Sequence, residues 1–449
     1  MTAPARMAAY HALRAVTTDA QDLPVALAHS RQRLTDDRDR ALAAEIVTGS
    51  LRWLRSLDFL VEHFAKRRAA KIDPEVLAIL RLSIYQLLHL DRVPAAAVVD
   101  DAVDLTRGAR KPSAAGFVNA VLRSLLRQRN RLPLPPRPEP GGDRRAQIAY
   151  LGVTHSHPDW LVQRWLDRYG FEATEAWVHF NNATPGLTLR VNTLRATTDE
   201  AARALAADGV ETERVRYAPH GLSVSEGNPL RRPQDGLVVV QDEASQLIPL
   251  IVNAQPGERV FDLCASPGGK TTAMAAAMRD EGAIVAADVR ARRVDLLQQT
   301  VRASGARIIS MLQVDTEGAL PFNAAFDRVL VDAPCSGLGT IRRDPDIRWR
   351  RNESDLATLA ASQQALLDRA AATVRRGGRL VYATCSSEPE ENEDVVDAFL
   401  AVRSDFAIVD PRTELPEMIR ALVDERGFFR TLPFRHQLEA FFAAALRRR

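Results

Sequence analysis

Cysteine is nearly absent from this chain: three in 449 residues, at Cys264, Cys335 and Cys385. The number is odd and no C-x-x-C spacing occurs, which excludes a disulfide framework and argues against a structural zinc site. Lysine is almost as scarce. Only Lys66, Lys71, Lys111 and Lys270 accompany 56 arginines, so a surviving lysine marks a place where a compact ammonium fits and a guanidinium does not. No window approaches the ~18 uninterrupted apolar residues of a membrane span. Met1–Val16 carries arginines without an apolar stretch, so no secretory leader is expected and the reading is a cytoplasmic protein. With 46% apolar and 26% charged residues, wholesale disorder is excluded. At roughly 150 residues per domain the length suggests about three domains.

Net charge is only +3, but it is unevenly spread: residues 1–145 hold 24 Lys and Arg against 16 Asp and Glu. A basic first third on a mildly acidic remainder points to a polyanion partner, with a plain solvated surface as the alternative.

The first ~130 residues read as an all-α bundle. Val47, Leu51, Leu54, Leu57, Val61 and Phe64 step by three or four, the period of a buried helix face. Asp73-Pro74 offers an N-cap and a proline at the first helical position, and Leu77, Leu80, Ile84 and Leu87 continue the stripe. Val118, Val121, Leu122 and Leu125 form a third face, followed by Arg123, Arg127, Arg129 and Arg131. A proline-rich linker over 131–145 stops the helices. Residues 146–245 read as a small α+β domain, with β-like runs LTLRVNT and GLVVVQD around a helix at 199–207. From 246 to 449 apolar strands alternate with helices, the pattern of a parallel sheet covered on both faces. Such sheets bind ligands beyond the carboxyl ends of their strands.

All three cysteines fall there. Cys264 ends VFDLC, Cys335 follows VLVDAP and Cys385 ends LVYAT. The first βα turn, DLCASPGGKTT, pairs glycines with a helix start whose free N–H groups can meet a ligand. Asp288, 20 residues after Gly268, ends the next strand, where a carboxylate can accept from ribose hydroxyls. Asp315 ends the third strand, placed for an adenine or a neighbouring donor. Together these describe a nucleoside-containing cofactor. GGKTT imitates a P-loop, but that loop needs a glycine where Cys264 stands. A nicotinamide fold wants G-x-G-x-x-G, which is absent.

Thiols opposite such a cofactor suggest one reaction in particular. Carbon 5 of cytosine is a poor nucleophile until a thiolate adds to carbon 6; it can then take a methyl group from a sulfonium, lose its proton and expel the thiol. Asp332, three residues before Cys335, is placed to hydrogen-bond the cytosine edge. The residues alone do not say which cysteine attacks.

DLCASPGGKTT, DAPCSGLGTIRRDPDIRW and YATCSSEPEEN are similar, in order and spacing, to motifs of the RNA 5-methylcytosine methyltransferases. The resemblance implies a Rossmann-like S-adenosylmethionine-dependent methyltransferase domain preceded by a small α+β domain. It implies Cys385 as the nucleophile and Cys335 as the residue assisting release of methylated RNA. It also implies a cofactor site of Cys264, Ala265, Ser266, Pro267, Gly268, Gly269 and Lys270 with Asp288, Arg293, Asp315 and Asp332. LRLSIYQLLHLDRVPAAAVVDDAVDLTR with GFVNAVLR resembles the NusB-type RNA-binding domain, and the fusion marks the Sun/RsmB group acting on 16S ribosomal RNA. The expected partner is RNA, with no metal, no membrane and a monomeric chain. Two alternatives stand beside this: the same chemistry on transfer RNA, and a non-catalytic RNA-binding or assembly factor, against which the two rim thiols argue.

Three smaller expectations follow. Arg342, Arg343, Arg348, Trp349, Arg350 and Arg351 offer cations and a stacking face for a flipped base. Ser387-x-x-Glu390 resembles a capping box, putting Cys385 near a helix start, while the acidic run Glu388, Glu390, Glu391, Glu393 and Asp394 opposes a thiolate there. Glu439-Ala440-Phe441-Phe442 stands where the family carries Asp-Gly-Phe-Phe, which is expected to alter the last hairpin.

Overall fold

The computed structural model describes residues 3–139, 141–231 and 236–449, so Pro140 of the proline-rich segment lies outside the described residues. The chain forms two compact units, Met1–Thr184 with Ile341–Glu353, and Pro185–Thr340 with Ser354–Arg449.

The first unit is helical. Helices Pro4–Thr17, Leu23–Gln32, Asp37–Arg52, Leu54–Ala65, Pro74–His89, Ala95–Gly108 and Ala115–Arg127 enclose one apolar core. The long stripe from Val47 to Phe64 is two helices rather than one. Trp53 leaves the helical region between them, at φ −103° and ψ 14°, and the apolar period survives the break because both helices turn the same side inward. Asp73 caps the central helix through its carboxylate to Glu75 N, with Pro74 at the first position. Arg123, Arg127, Arg129 and Arg131 all lie exposed. Helix Asp159–Asn182 is broken at Gly170, whose φ of 79° suits glycine. It buries Trp165 against Trp177, stacked at 4.5 Å between ring centroids.

The segment Ile341–Glu353 corrects one expectation. Arg348 is not a free cation for a flipped base; it is fully buried. Its guanidinium donates to Ser156 O (2.9 Å), Asn182 Oδ1 (3.0 Å), Arg52 O and Asn181 O. Trp349 Nε1 donates to Leu51 O at 2.7 Å, and Arg350 pairs with Asp22 and Asp346. The cluster fastens this segment to the helices of its own unit.

The second unit carries two sheets. The smaller is antiparallel, with β1 Thr188–Val191, β2 Glu211–Arg214, β3 Gly221–Glu226 and β4 Val238–Val240 in the order β2-β3-β1-β4. Helix Thr198–Ala207 beside it starts on a capping box of Thr197 and Glu200. The larger sheet holds β5 Arg259–Leu263, β6 Ala283–Asp288, β7 Ile309–Gln313, β8 Phe326–Asp332, β9 Val374–Thr384, β10 Phe406–Ile408, β11 Phe429–Arg430 and β12 Phe442–Arg448. Strands β9-β8-β5-β6-β7 are parallel, as the alternating pattern requires, and the order reverses at β5. Beyond β9 the sheet turns antiparallel, with β12 running between β9 and β10 and β11 added to β12. This is the Rossmann-like arrangement, with a mixed rather than purely parallel sheet.

Candidate active site

The reversal of strand order at β5 opens the crevice in which doubly wound sheets bind ligands. Strands β8 and β9 run side by side and pair Asp332 with Ala383, and Ala333 N continues the ladder to Ala383 O at 2.9 Å. Two loops therefore leave the sheet together. They bring Cys335 Sγ within 3.2 Å of Cys385 Sγ, both half-buried. The hydrogen bond with Cys385, and then burial, push the Cys335 thiol well up, so it stays protonated. Gly339 N donates to Cys385 O at 2.9 Å, and Ala440 N to Gly339 O at 3.0 Å.

Cys264 directly follows β5. Its backbone is left-handed, at φ 70°, and burial pushes its thiol up to about 12, with Asp288 as the next cause. The turn continues through a cis Ser266–Pro267 bond to Gly268, at φ 103°, which starts helix Gly269–Ala277. A Cβ on Gly268 would lie 2.8 Å from Leu297 Cδ1, so close packing as well as backbone conformation demands glycine there. Ala265 N donates to Ala287 O, tying the turn to β6.

Asp288 ends β6, nearly fully buried. Its carboxylate accepts from Ser266 N (3.4 Å) and Arg290 N (3.4 Å) and pairs with Arg293 at 3.2 Å. Arg293 also donates to Ser266 O at 3.0 Å. Asp315 does not end the third strand as expected: β7 stops at Gln313, and Asp315 lies exposed two residues beyond it. Lys270 is paired with Asp332 at 2.6 Å and sits 5.6 Å from the Phe441 ring centroid. Asp332, expected at a base edge, is thus already held by the scarce lysine. Asp332 and the Cys385 sulfur are among the negative groups that raise the Lys270 pKa against burial, so it stays an ammonium.

This donor set fits a nucleoside-bearing ligand. A helix N-terminus and the Asp288 carboxylate face the same turn, and beneath it Asp262 is fully buried with Oδ1 unpartnered. Thr271 donates to the other oxygen at 2.6 Å, and burial raises the Asp262 carboxyl to about 7.

The α-helix expected to start beside Cys385 begins later. Ser387 Oγ donates to Glu388 at 2.8 Å, and the helix begins only at Glu393, after a short 3₁₀ turn Pro389–Glu391. The proline and the backbone of Asn392 (φ −115°, ψ −103°) delay the helix start. Alanine fits where the family has glycine, because residue 440 is not in the left-handed region.

Three residues that hold the site escaped sequence reasoning. Arg190 of β1 is buried and donates to Gly269 O and Thr272 Oγ1 behind the glycine turn, as well as to Gln241. Gly339 has no room for a side chain. Glu391 read as one acid of a run, yet it is fully buried between the two cysteine loops.

Three family models match in order: the NusB family over residues 3–127, the RsmF/B-like ferredoxin-like domain over 157–231, and 16S rRNA methyltransferase RsmB/F over 249–447. The probable ribosomal RNA small subunit methyltransferase B of Bacillus subtilis (strain 168) is 35% identical over 92% of this chain and 91% of its own. Ribosomal RNA small subunit methyltransferase B of Pseudomonas putida is 35% identical over 91% of this chain and 92% of its own. Among solved structures, PH0851 is 28% identical and superposes with a TM-score of 0.81, covering 100% of this chain and 99% of that one. A methyltransferase homolog from Pyrococcus horikoshii, also 28% identical, gives 0.57 over 68% of this chain and 99% of its own. NusB-like and ferredoxin-like domains thus precede a Rossmann-like methyltransferase sheet, relatives match over most of the sequence, and the chain belongs to the 16S rRNA methyltransferase RsmB/F family.

Proposed function

We propose that the chain methylates carbon 5 of a cytosine in 16S ribosomal RNA, using S-adenosylmethionine and a covalent bond between Cys385 and carbon 6 of the ring. The observation that carries this reading is the 3.2 Å separation of the Cys335 and Cys385 sulfurs. S-adenosylmethionine, when bound, supplies an electrophilic methyl group; the residues that would hold it are Cys264 to Lys270 with Asp288, Arg293, Asp315 and Asp332. Cys385 adds as a thiolate to carbon 6, and the electron pair displaced onto carbon 5 makes that carbon nucleophilic. The Lys270 ammonium holds Asp332 in place for the base edge. Once carbon 5 has been alkylated and has lost its proton, the bond from Cys385 to carbon 6 breaks. Cys335, kept as a thiol beside it, assists release. The exposed arginines after helix Ala115–Arg127 support contact with the RNA backbone.

Cys335→Ala protein mixed with substrate RNA and cofactor is expected to accumulate a protein–RNA adduct stable to denaturing electrophoresis, and Cys385→Ala to form none. An adduct with the second variant would reverse the assignment. Bisulfite sequencing of a deletion strain is expected to lose a mark in 16S ribosomal RNA; loss confined to transfer RNA would move the substrate, and no loss would favour an assembly role.

A further inference from the structure

The residue that follows each cysteine is a serine, and both serines reach the same carboxylate. Glu391 Oε1 accepts from Ser336 N (2.7 Å) and Gln363 Nε2 (2.9 Å). Its Oε2 accepts from Ser336 Oγ (2.5 Å) and Ser386 Oγ (2.5 Å). Gln363 Nε2 also donates to Pro334 O, at 2.9 Å, on the cysteine-335 side. On the other side, the Tyr382 hydroxyl from β9 donates to the Glu391 carbonyl at 2.6 Å and to Gln363 at 3.1 Å. Glu391, Tyr382, Ser336, Ser386 and Gln363 are all buried.

We propose that Glu391 is a positioning residue, a single carboxylate clamp that fixes the loop of Cys335 against the loop of Cys385 and so holds the two sulfurs in register for thiol addition and release. The proposal rests on the reading of those cysteines given above. Four uncharged donors converge on two oxygens, and only a carboxylate offers acceptor sites to all four at once. A buried charge is costly unless every such site is satisfied, so a carboxylate retained here has a task that an apolar filler would not perform. The clamp acts one residue beyond each sulfur, where a small displacement moves the nucleophile most directly. The charge has a second consequence: after the hydrogen bond to Cys385 and burial, Glu391 contributes to keeping Cys335 protonated.

Two variants separate clamp from charge. Glu391→Gln keeps the shape, and its amide can donate to the two serine hydroxyls, which rotate to accept. It is expected to retain kcat within about tenfold, with the alkaline limb of the kcat profile displaced to lower pH, because Cys335 loses a neighbouring negative charge. Glu391→Ala is expected to lose about 100-fold in kcat, the scale of a misplacement near 1 Å, with KM for RNA nearly unchanged. A readout independent of activity is the diamide-driven disulfide between Cys335 and Cys385, in which two thiols are oxidised as the diazene is reduced to the hydrazine. Glu391→Ala is expected to slow its formation at least tenfold, and Glu391→Gln to leave it near the wild-type rate. Wild-type methylation and the Cys335→Ala adduct are measured alongside, and their absence would sink the reading of the cysteines rather than the clamp. If both are present and Glu391→Ala forms the disulfide as fast as wild type, the clamp is wrong; an unmoved Glu391→Gln profile removes only the charge effect on Cys335.

Discussion

At the scale of single residues, the site is decided by what little space the backbone leaves. A Cβ on Gly339 would stand 2.0 Å from Ala440 O and 2.7 Å from Cys385 O, both backbone atoms that cannot swing aside. Gly339→Ala must therefore push the Cys385 loop or the start of β12 outward. Overpacking of this kind costs about 1–3 kcal/mol, and here the displaced group carries the sulfur. The expected outcome is a urea midpoint lowered by that amount together with loss of the covalent adduct, while Ala440→Gly, which removes a methyl beside the same contact, keeps the adduct. The cysteines and the glycine turn were legible in the sequence because rare residues at strand ends announce themselves. Glu391 was not: Glu388, Glu390, Glu391 and Glu393 read alike, and only the fold reveals that one of them faces four donors. Lys270 lies between these cases, marked out by rarity but given its task by Asp332.

At the scale of elements, legibility followed burial on both faces. β5, β6, β8 and β9 stood out as apolar runs of strand length. β2 is the sequence ETER, mostly exposed, and nothing in its composition distinguishes it from a loop. β12 continues from the expected last hairpin, and its composition argues against a strand. Its run FAAALRR reads as a helix by propensity, since alanine and leucine favour helices, and tertiary pairing with β9 overrides that preference. This strand matters to the site: Phe442 pairs in register with Thr384, the residue before Cys385. Phe442 is fully buried against Tyr382 and Phe428. Phe442→Ala is expected to cost about 3–5 kcal/mol, read as a shift of the urea midpoint followed by circular dichroism. A cost below ~1 kcal/mol would mean that β12 does not support the β9 end.

At the scale of the whole molecule, the two compact units differ in how they can be observed and in how they respond to acid. All five tryptophans, Trp53, Trp160, Trp165, Trp177 and Trp349, belong to the first unit, so selectively excited tryptophan fluorescence originates in that unit. The composition could not reveal this, because the segment holding Trp349 reads as a continuation of the Cys335 motif and joins the helical unit only in the fold. The first unit also buries His155, whose ring packs against Tyr150 at 4.7 Å and His179 at 4.4 Å, with neither nitrogen hydrogen-bonded. Burial lowers its pKa to about 4, with the nearby His179 adding to the effect. The unfolded chain, with an ordinary value near 6.5, binds this proton first. The stabilisation is therefore complete above about pH 6.5 and is lost as the pH falls towards 4, at a cost of about 2–3 kcal/mol by linkage. His157, buried deeper and lowered further, extends the loss to lower pH. Urea unfolding followed by tryptophan fluorescence is expected to show a midpoint falling steeply between pH 6.5 and 4.5. In His155→Phe, which keeps the aromatic packing and removes the titrating group, the fall over that window should be shallower by the His155 share. An unchanged slope in the variant would place the acid sensitivity in other histidines of this unit with lowered pKa values, among them His157 and His89, the latter at about 4.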